Sequence, residues 1–209
     1  MSDLFQKTIA TQTEFKGIGL HSGLASIVKI IPSDENCGIV FKRTDLKQNN
    51  IIDANFKNVS SAKLCTTIQN NFNVSVSTVE HLLAALYITG IDNALIEINA
   101  SEVPIMDGSS KEFVETIIKN GIKKQGKKRK YLKILKKFEF KENEKFISIE
   151  PHASSLKVDF ELVYSNDIIG KQRNQVNFSD NDLYNIYTSR TFCLFEDVEQ
   201  IKKIGLAKG

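Results

Sequence analysis

The stretch Ser77-Thr78-Val79-Glu80-His81-Leu82-Leu83-Ala84-Ala85-Leu86-Tyr87-Ile88-Thr89-Gly90 reads as a helix with signals for both of its ends. Ser77 and Glu80 have the S-x-x-E spacing of a capping box, and Gly90 supplies a left-handed stop. At about 100° per residue, Val79, Leu82, Leu83 and Leu86 form one apolar stripe. Ala84, Ala85 and Ile88 fall on the opposite side, around His81. A helix apolar nearly all round is expected to be packed on both faces, which leaves Glu80 and His81 as adjacent ionisable groups on an element that otherwise avoids water. Two readings stay open at this point. In one, Glu80 is only the capping acid and His81 a buried, hydrogen-bonded histidine. In the other, the imidazole ligates a metal beside a carboxylate general base. Glu-His is not the H-E-x-x-H pattern, in which two histidines share one helical face, so spacing does not decide.

The rest of the chain sets the frame. With 209 residues, 41% hydrophobic and 25% charged, it has ordinary globular composition and length for one large or two small domains. The amino terminus lacks a basic region followed by an apolar one, and no apolar run approaches membrane-spanning length, so a cytoplasmic protein is expected. Cys37, Cys65 and Cys193 are far apart and without C-x-x-C spacing, and reduced thiols are the default. The net charge of +3 is uneven: Lys123 to Lys141 holds ten basic residues against the single acid Glu139. No aromatic platform or nucleic-acid motif accompanies this block, which reads as a solvated linker rather than a nucleic-acid patch.

Along the chain, Gly17-Ile18-Gly19-Leu20-His21-Ser22-Gly23 is a strand running into a glycine-punctuated turn, where His21 alone would be a turn or surface histidine. Ser26–Ile31 and Gly38–Arg43 read as a hairpin, and Ala62–Gln69 and Asn73–Val76 as short strands before the helix. Asp92–Asn99 alternates as a strand. Ser109 and Glu112 make a second capping box, opening a helix that carries Phe113, Val114, Ile117 and Ile118 on one face and stops at Gly121. Both helices are expected on one side of a sheet. The division expected is a first α+β domain over 1–121, a basic linker over 122–130 and a second α+β domain over 131–209. That second domain has strands at Tyr131–Leu135, Lys145–Glu150, Leu156–Tyr164 and Gln175–Phe178, a helix capped at Ser179 or Asp180, and another over Glu196–Ile204.

In order, Gly17–Gly23, Leu64-Cys65-Thr66, Ser77–Leu82, Gly90-Ile91-Asp92-Asn93, Pro104-Ile105-Met106-Asp107-Gly108-Ser109 and Ser189-Arg190-Thr191-Phe192 resemble the zinc-dependent UDP-3-O-acyl-N-acetylglucosamine deacetylases of lipid A biosynthesis. The resemblance runs along essentially the whole chain. It implies an α+β fold of two similar β-β-α-α-β layered domains, with helices packed between outer sheets. It implies that Glu80 is the general base, His81 a ligand of Zn2+, and Thr191 the hydroxyl that steadies the oxyanion. It places Phe192 and Tyr164 at the nucleotide, and Leu20, Leu64 and Cys65 at the mouth of the acyl passage. The implied partner is an acylated UDP-sugar, with transient contact at the inner-membrane surface and no nucleic acid.

The sequence departs from the family in one respect. The family's other two zinc ligands come from a later H-K-x-x-D-x-x-G-D motif and its catalytic histidine from a later G-H, and neither motif is present. His152 matches neither and reads as a surface residue at a strand end. A catalytic zinc ion usually takes three protein ligands, so the chain is expected to be a C-terminally truncated member with an incomplete second domain. The alternative is a catalytically inactive remnant that binds an acylated sugar nucleotide or a protein partner.

Overall fold

The computed structural model of the chain describes residues 4–153, 155–178 and 183–209. Contacts group it into two compact units, one running up to Arg129 together with Tyr187–Gly209, the other Lys130–Ile186. The fold class is α+β, as the alternation of strand and helix patterns indicated.

The first unit is built on a five-stranded sheet. Its strands are β2 (Thr13–Ile18), β3 (Ala25–Pro32), β4 (Ile39–Arg43), β5 (Ile51–Asp53) and β9 (Ala94–Ile98), in the order β2-β3-β9-β4-β5. Period-two alternation sends the two faces to different fates. Cross-strand partners Phe15, Val28 and Ile98 form one apolar row, and Ile30, Ile96, Phe41 and Ile52 form the next; all are buried. The opposite face carries Glu14, Lys29, Glu97 and Lys42 as successive partners, alternating in sign across four strands and open to water. Helices α1 (Glu80–Thr89) and α2 (Lys111–Asn120) supply Leu82, Ala85 and Leu86, and Phe113, Val114 and Ile117, to the same core. Phe15 and Phe113 meet edge to face at 4.8 Å between centroids.

Several expectations are corrected here. The hairpin of Ser26–Ile31 with Gly38–Arg43 does not form, because β9 lies between β3 and β4, antiparallel to the first and parallel to the second. The block read as a linker holds β10 (Ile122–Lys128), which pairs antiparallel with β1 (Phe5–Ile9). Its lysines face water, and its inward contact is polar: Gln125 accepts from the Asn93 amide at 2.8 Å and donates to the Ser33 carbonyl at 2.9 Å. Residues Tyr187–Gly209, assigned to the second domain by sequence, pack with the first unit. They include α4 (Phe195–Lys203), and the short α3 (Tyr184–Tyr187) leads into them. Helix α1 buries one face only: Ala84 and Tyr87 on the other side are exposed.

A smaller sheet of β6 (Val59–Ser61), β7 (Thr67–Gln69) and β8 (Ser75–Val76) precedes α1. Only Thr67–Gln69 of the expected strand Ala62–Gln69 is extended, the residues before it forming a bend. In the second unit, β11 (Phe138–Glu142) pairs with β12 (Lys145–Ile149), and β13 (Lys157–Val163) with β14 (Lys171–Asn177). Tyr131–Leu135 is not a strand, and the cap expected at Ser179 or Asp180 lies outside the described residues. Among the described residues no helix is long and apolar enough to cross a membrane.

Candidate functional site around the start of α1

The capping box at Ser77 is not formed. Ser77 is held instead by the segment after β9: its amide donates to the Ser101 carbonyl at 2.9 Å, and its carbonyl accepts from the Val103 amide at 3.1 Å. Thr78 then turns through a positive φ of 57°, and α1 begins at Glu80. Freed from a capping role, the Glu80 carboxylate accepts the Thr66 amide at 2.9 Å, while the Val79 amide donates to the Thr66 carbonyl at 3.3 Å. This double clasp fastens the bend containing Leu64 and Cys65 to the start of the helix. Leu64 itself is half-exposed at a φ of 65°. At the far end Gly90 adopts φ 73°, its amide donating to the Tyr87 carbonyl and that of Ile91 to the Leu86 carbonyl, the Schellman stop that the sequence indicated.

His81, half-buried, is one residue into the helix, and its carbonyl accepts the Ser110 hydroxyl at 2.9 Å. Ser110 belongs to the turn that leads into α2. The second expected capping box is also absent: the Ser109 hydroxyl donates to Asp107 at 2.6 Å and accepts the Lys111 amide at 3.1 Å. The Ser109 hydroxyl, together with its amide and the Arg190 guanidinium, holds the Asp107 carboxyl below its usual range. The same turn fixes the later motif. The Ser110 amide donates to the Tyr187 carbonyl at 3.0 Å, and the Thr191 amide to the Gly108 carbonyl at 2.9 Å. Thr191 is thus anchored to the turn that also grips His81.

Leu20 lies in the glycine turn, half-buried, its carbonyl accepting the Gly209 amide at 3.1 Å. Phe192 is exposed beside Thr191. Tyr164 follows β13 in the second unit, where its amide donates to the Gly170 carbonyl. Glu80, His81, Leu64, Cys65 and Thr191 are therefore tied to elements around the start of α1. His152 is exposed, its Nδ1 bonded to the Ser155 carbonyl.

Sequence reasoning missed two residues. His21 is buried rather than superficial, and both of its ring nitrogens lack a hydrogen-bond partner among the described residues. Glu102, 1% exposed, accepts the His21 amide at 2.9 Å, the Ser22 amide at 2.7 Å and the Thr78 hydroxyl at 2.9 Å. Burial opposes its ionisation, but the Ser22 and Thr78 hydroxyls and the two amides outweigh it and lower its pKa. No local pattern marks Glu102, which follows a strand end and carries no periodicity of its own.

The profile of the UDP-3-O-acyl N-acetylglycosamine deacetylase family, LpxC, matches residues 6–209. The chain belongs to this family. It is 36% identical over 207 residues to the UDP-3-O-acyl-N-acetylglucosamine deacetylase of Actinobacillus pleuropneumoniae serotype 3 (strain JL03), covering 98% of this chain and 68% of that protein. The deacetylase so named in Haemophilus ducreyi (strain 35000HP / ATCC 700724) is 37% identical over the same shares, and that of Geobacter sp. (strain M21) is 40% identical over 99% and 67%. Membership of LpxC makes this an enzyme family of deacetylases in lipid A biosynthesis, and it accounts for the collinear motifs that converge on α1.

Proposed function

We propose that the chain recognises an acylated UDP-N-acetylglucosamine and presents Glu80, His81 and Thr191 to its N-acetyl group for hydrolysis to the free amine and acetate. The observation that carries this reading is the clasp of Glu80 and the anchoring of His81 and Thr191 by one turn. Glu80 takes a proton from water as it attacks the acetyl carbonyl, the Thr191 hydroxyl donates to the oxyanion, and the proton returns to the nitrogen as the C–N bond breaks. Leu20, Leu64 and Cys65 line the acyl end, and Phe192 meets the nucleotide.

The family reaction is written with zinc, for which His81 is the ligand supplied here. Among the described residues no group of three or more His, Cys, Asp and Glu side chains could hold a metal ion, so these donors do not fit a catalytic zinc site. That favours a second reading, in which the chain binds the sugar nucleotide without turnover.

Calorimetric titration with UDP-3-O-acyl-N-acetylglucosamine, combined with metal analysis and an acetate assay, tests both. Saturable binding is expected on both readings, with acetate release on the first and none on the second. Absence of binding refutes the proposal. About one tightly held zinc per chain together with acetate release refutes the second reading.

A further inference from the structure

Glu102 has no part in the chemistry above, yet its side chain is 1% exposed and has no ion-pair partner among the described residues, a placement that is costly unless its acceptors are filled. They are filled by two segments distant in sequence. Oε1 takes the His21 amide and the Thr78 hydroxyl, and Oε2 takes the Ser22 amide. The Glu102 carbonyl accepts the Ser26 hydroxyl at 2.7 Å, and a parallel bridge joins Glu102 to Ser77. Thr78 is the positive-φ residue from which α1 departs, two residues before Glu80. A β-branched residue at positive φ is strained and persists only where its surroundings hold it. Glu102 supplies that hold through the Thr78 hydroxyl.

We infer that Glu102 is a positioning residue for the deacetylation site: its carboxylate locks the glycine turn of Leu20 and His21 to the Thr78 turn, and so sets the direction in which α1 presents Glu80 and His81. The inference rests on the roles proposed for those two residues. Gln is a poor substitute. It offers one acceptor oxygen, so whichever way its amide is turned, the amide of His21 or of Ser22 faces an NH2 group.

Amide NMR shifts and hydrogen exchange of Glu102→Gln and Thr78→Val test this on the whole chain, without substrate or turnover, so an inactive chain leaves the result readable. In Glu102→Gln, the amides of His21, Ser22, Thr66, Glu80 and His81 are expected to shift. Exchange at Thr66 should rise by about tenfold, the factor corresponding to one hydrogen bond, while Ile30 and Ile96 in the central strands keep their protection. Thr78→Val should move Thr66, Glu80 and His81 but leave His21 and Ser22 in place, and it decides the matter alone if Glu102→Gln does not fold. The inference is overturned if Thr78→Val leaves Thr66, Glu80 and His81 unshifted. It is equally overturned if Glu102→Gln raises exchange evenly through β3 and β9, which is loss of stability and nothing more.

Discussion

Replacing Gly19 by Ala gives a sharp test of how tightly the glycine turn sits on Glu102. A Cβ there would meet the Ser22 hydroxyl and would lie 2.5 Å from Glu102 Oε2 and 2.9 Å from its Cδ, closer than such atoms approach. The carboxylate has little room to retreat, because the His21 and Ser22 amides and the Ser22 and Thr78 hydroxyls already hold it. Either it withdraws and releases the Ser22 amide, or the turn opens and loses the bonds from Gly23 to Gly19 and from Gly19 to Leu24, each 2.9 Å. Overpacking of this kind costs about 1–3 kcal/mol. Loss of one hydrogen bond to a buried charge adds roughly 1.5–3 kcal/mol. The expected destabilisation is therefore about 2.5–6 kcal/mol, against a total stability on the order of 5–15 kcal/mol. Gly90→Ala is the internal comparison. Its φ of 73° penalises a side chain, but the nearest atom to a new Cβ is 3.4 Å away, so only the left-handed backbone term of roughly 1–2 kcal/mol applies. Urea denaturation followed by circular dichroism at 222 nm reads both as shifts in midpoint. Equal midpoints for the two variants would refute the packing argument.

Two further expectations follow from the same packing and charge. Leu82→Ala removes a wholly buried side chain from the interface of α1 with the sheet and should cost about 2–5 kcal/mol, a loss below about 1 kcal/mol contradicting the assignment of its buried face. Glu102 binds its proton more weakly folded than unfolded, so its contribution is complete above its ordinary value of 4.5 and is lost as pH falls through the lowered folded value. Urea midpoints measured from pH 7 downward should therefore drop below pH 4.5 more steeply for the parent than for Glu102→Gln. Parallel curves would show that Glu102 is not the group responsible.

The outcome at α1 shows what a sequence can and cannot display. The helix and its stop at Gly90 are local properties and both appear in the structure, but the helix buries the single face of Leu82, Ala85, Leu86 and Thr89 rather than both sides. The Ser77–Glu80 box is equally local in appearance, but Ser101–Val103 competes for Ser77 and Thr66 for Glu80, and those partners come from elsewhere in the chain. Strand β10 was hidden for a related reason. Its inward-facing Gln125 joins Asn93 and Gln6 in a network of side-chain amides, so burial left no apolar alternation to read. The Gly90–Asn93 motif gains a physical account from these contacts: Asp92 accepts the Lys7 amide and the Arg129 guanidinium, and Asn93 donates to Gln6 and Gln125, so the motif joins the end of α1 to β1 and β10. At the candidate site, Glu80 and His81 stood out as ionisable residues on an apolar element. Glu102 did not, because its significance lies entirely in donors brought from 24 and about 80 positions away.

The insertion of β9 between β3 and β4 bears on how the chain folds. Strands β3 and β4 are close in sequence yet share no ladder, so neither has its central neighbour until residues 94–98 have been made. During synthesis the first ninety residues hold open strand edges, and β1 waits still longer for β10. Non-local pairing of this kind slows folding and prolongs exposure of unpaired edges. Strand β9 is therefore the piece that joins two local antiparallel pairs, β2 with β3 and β4 with β5, into one sheet.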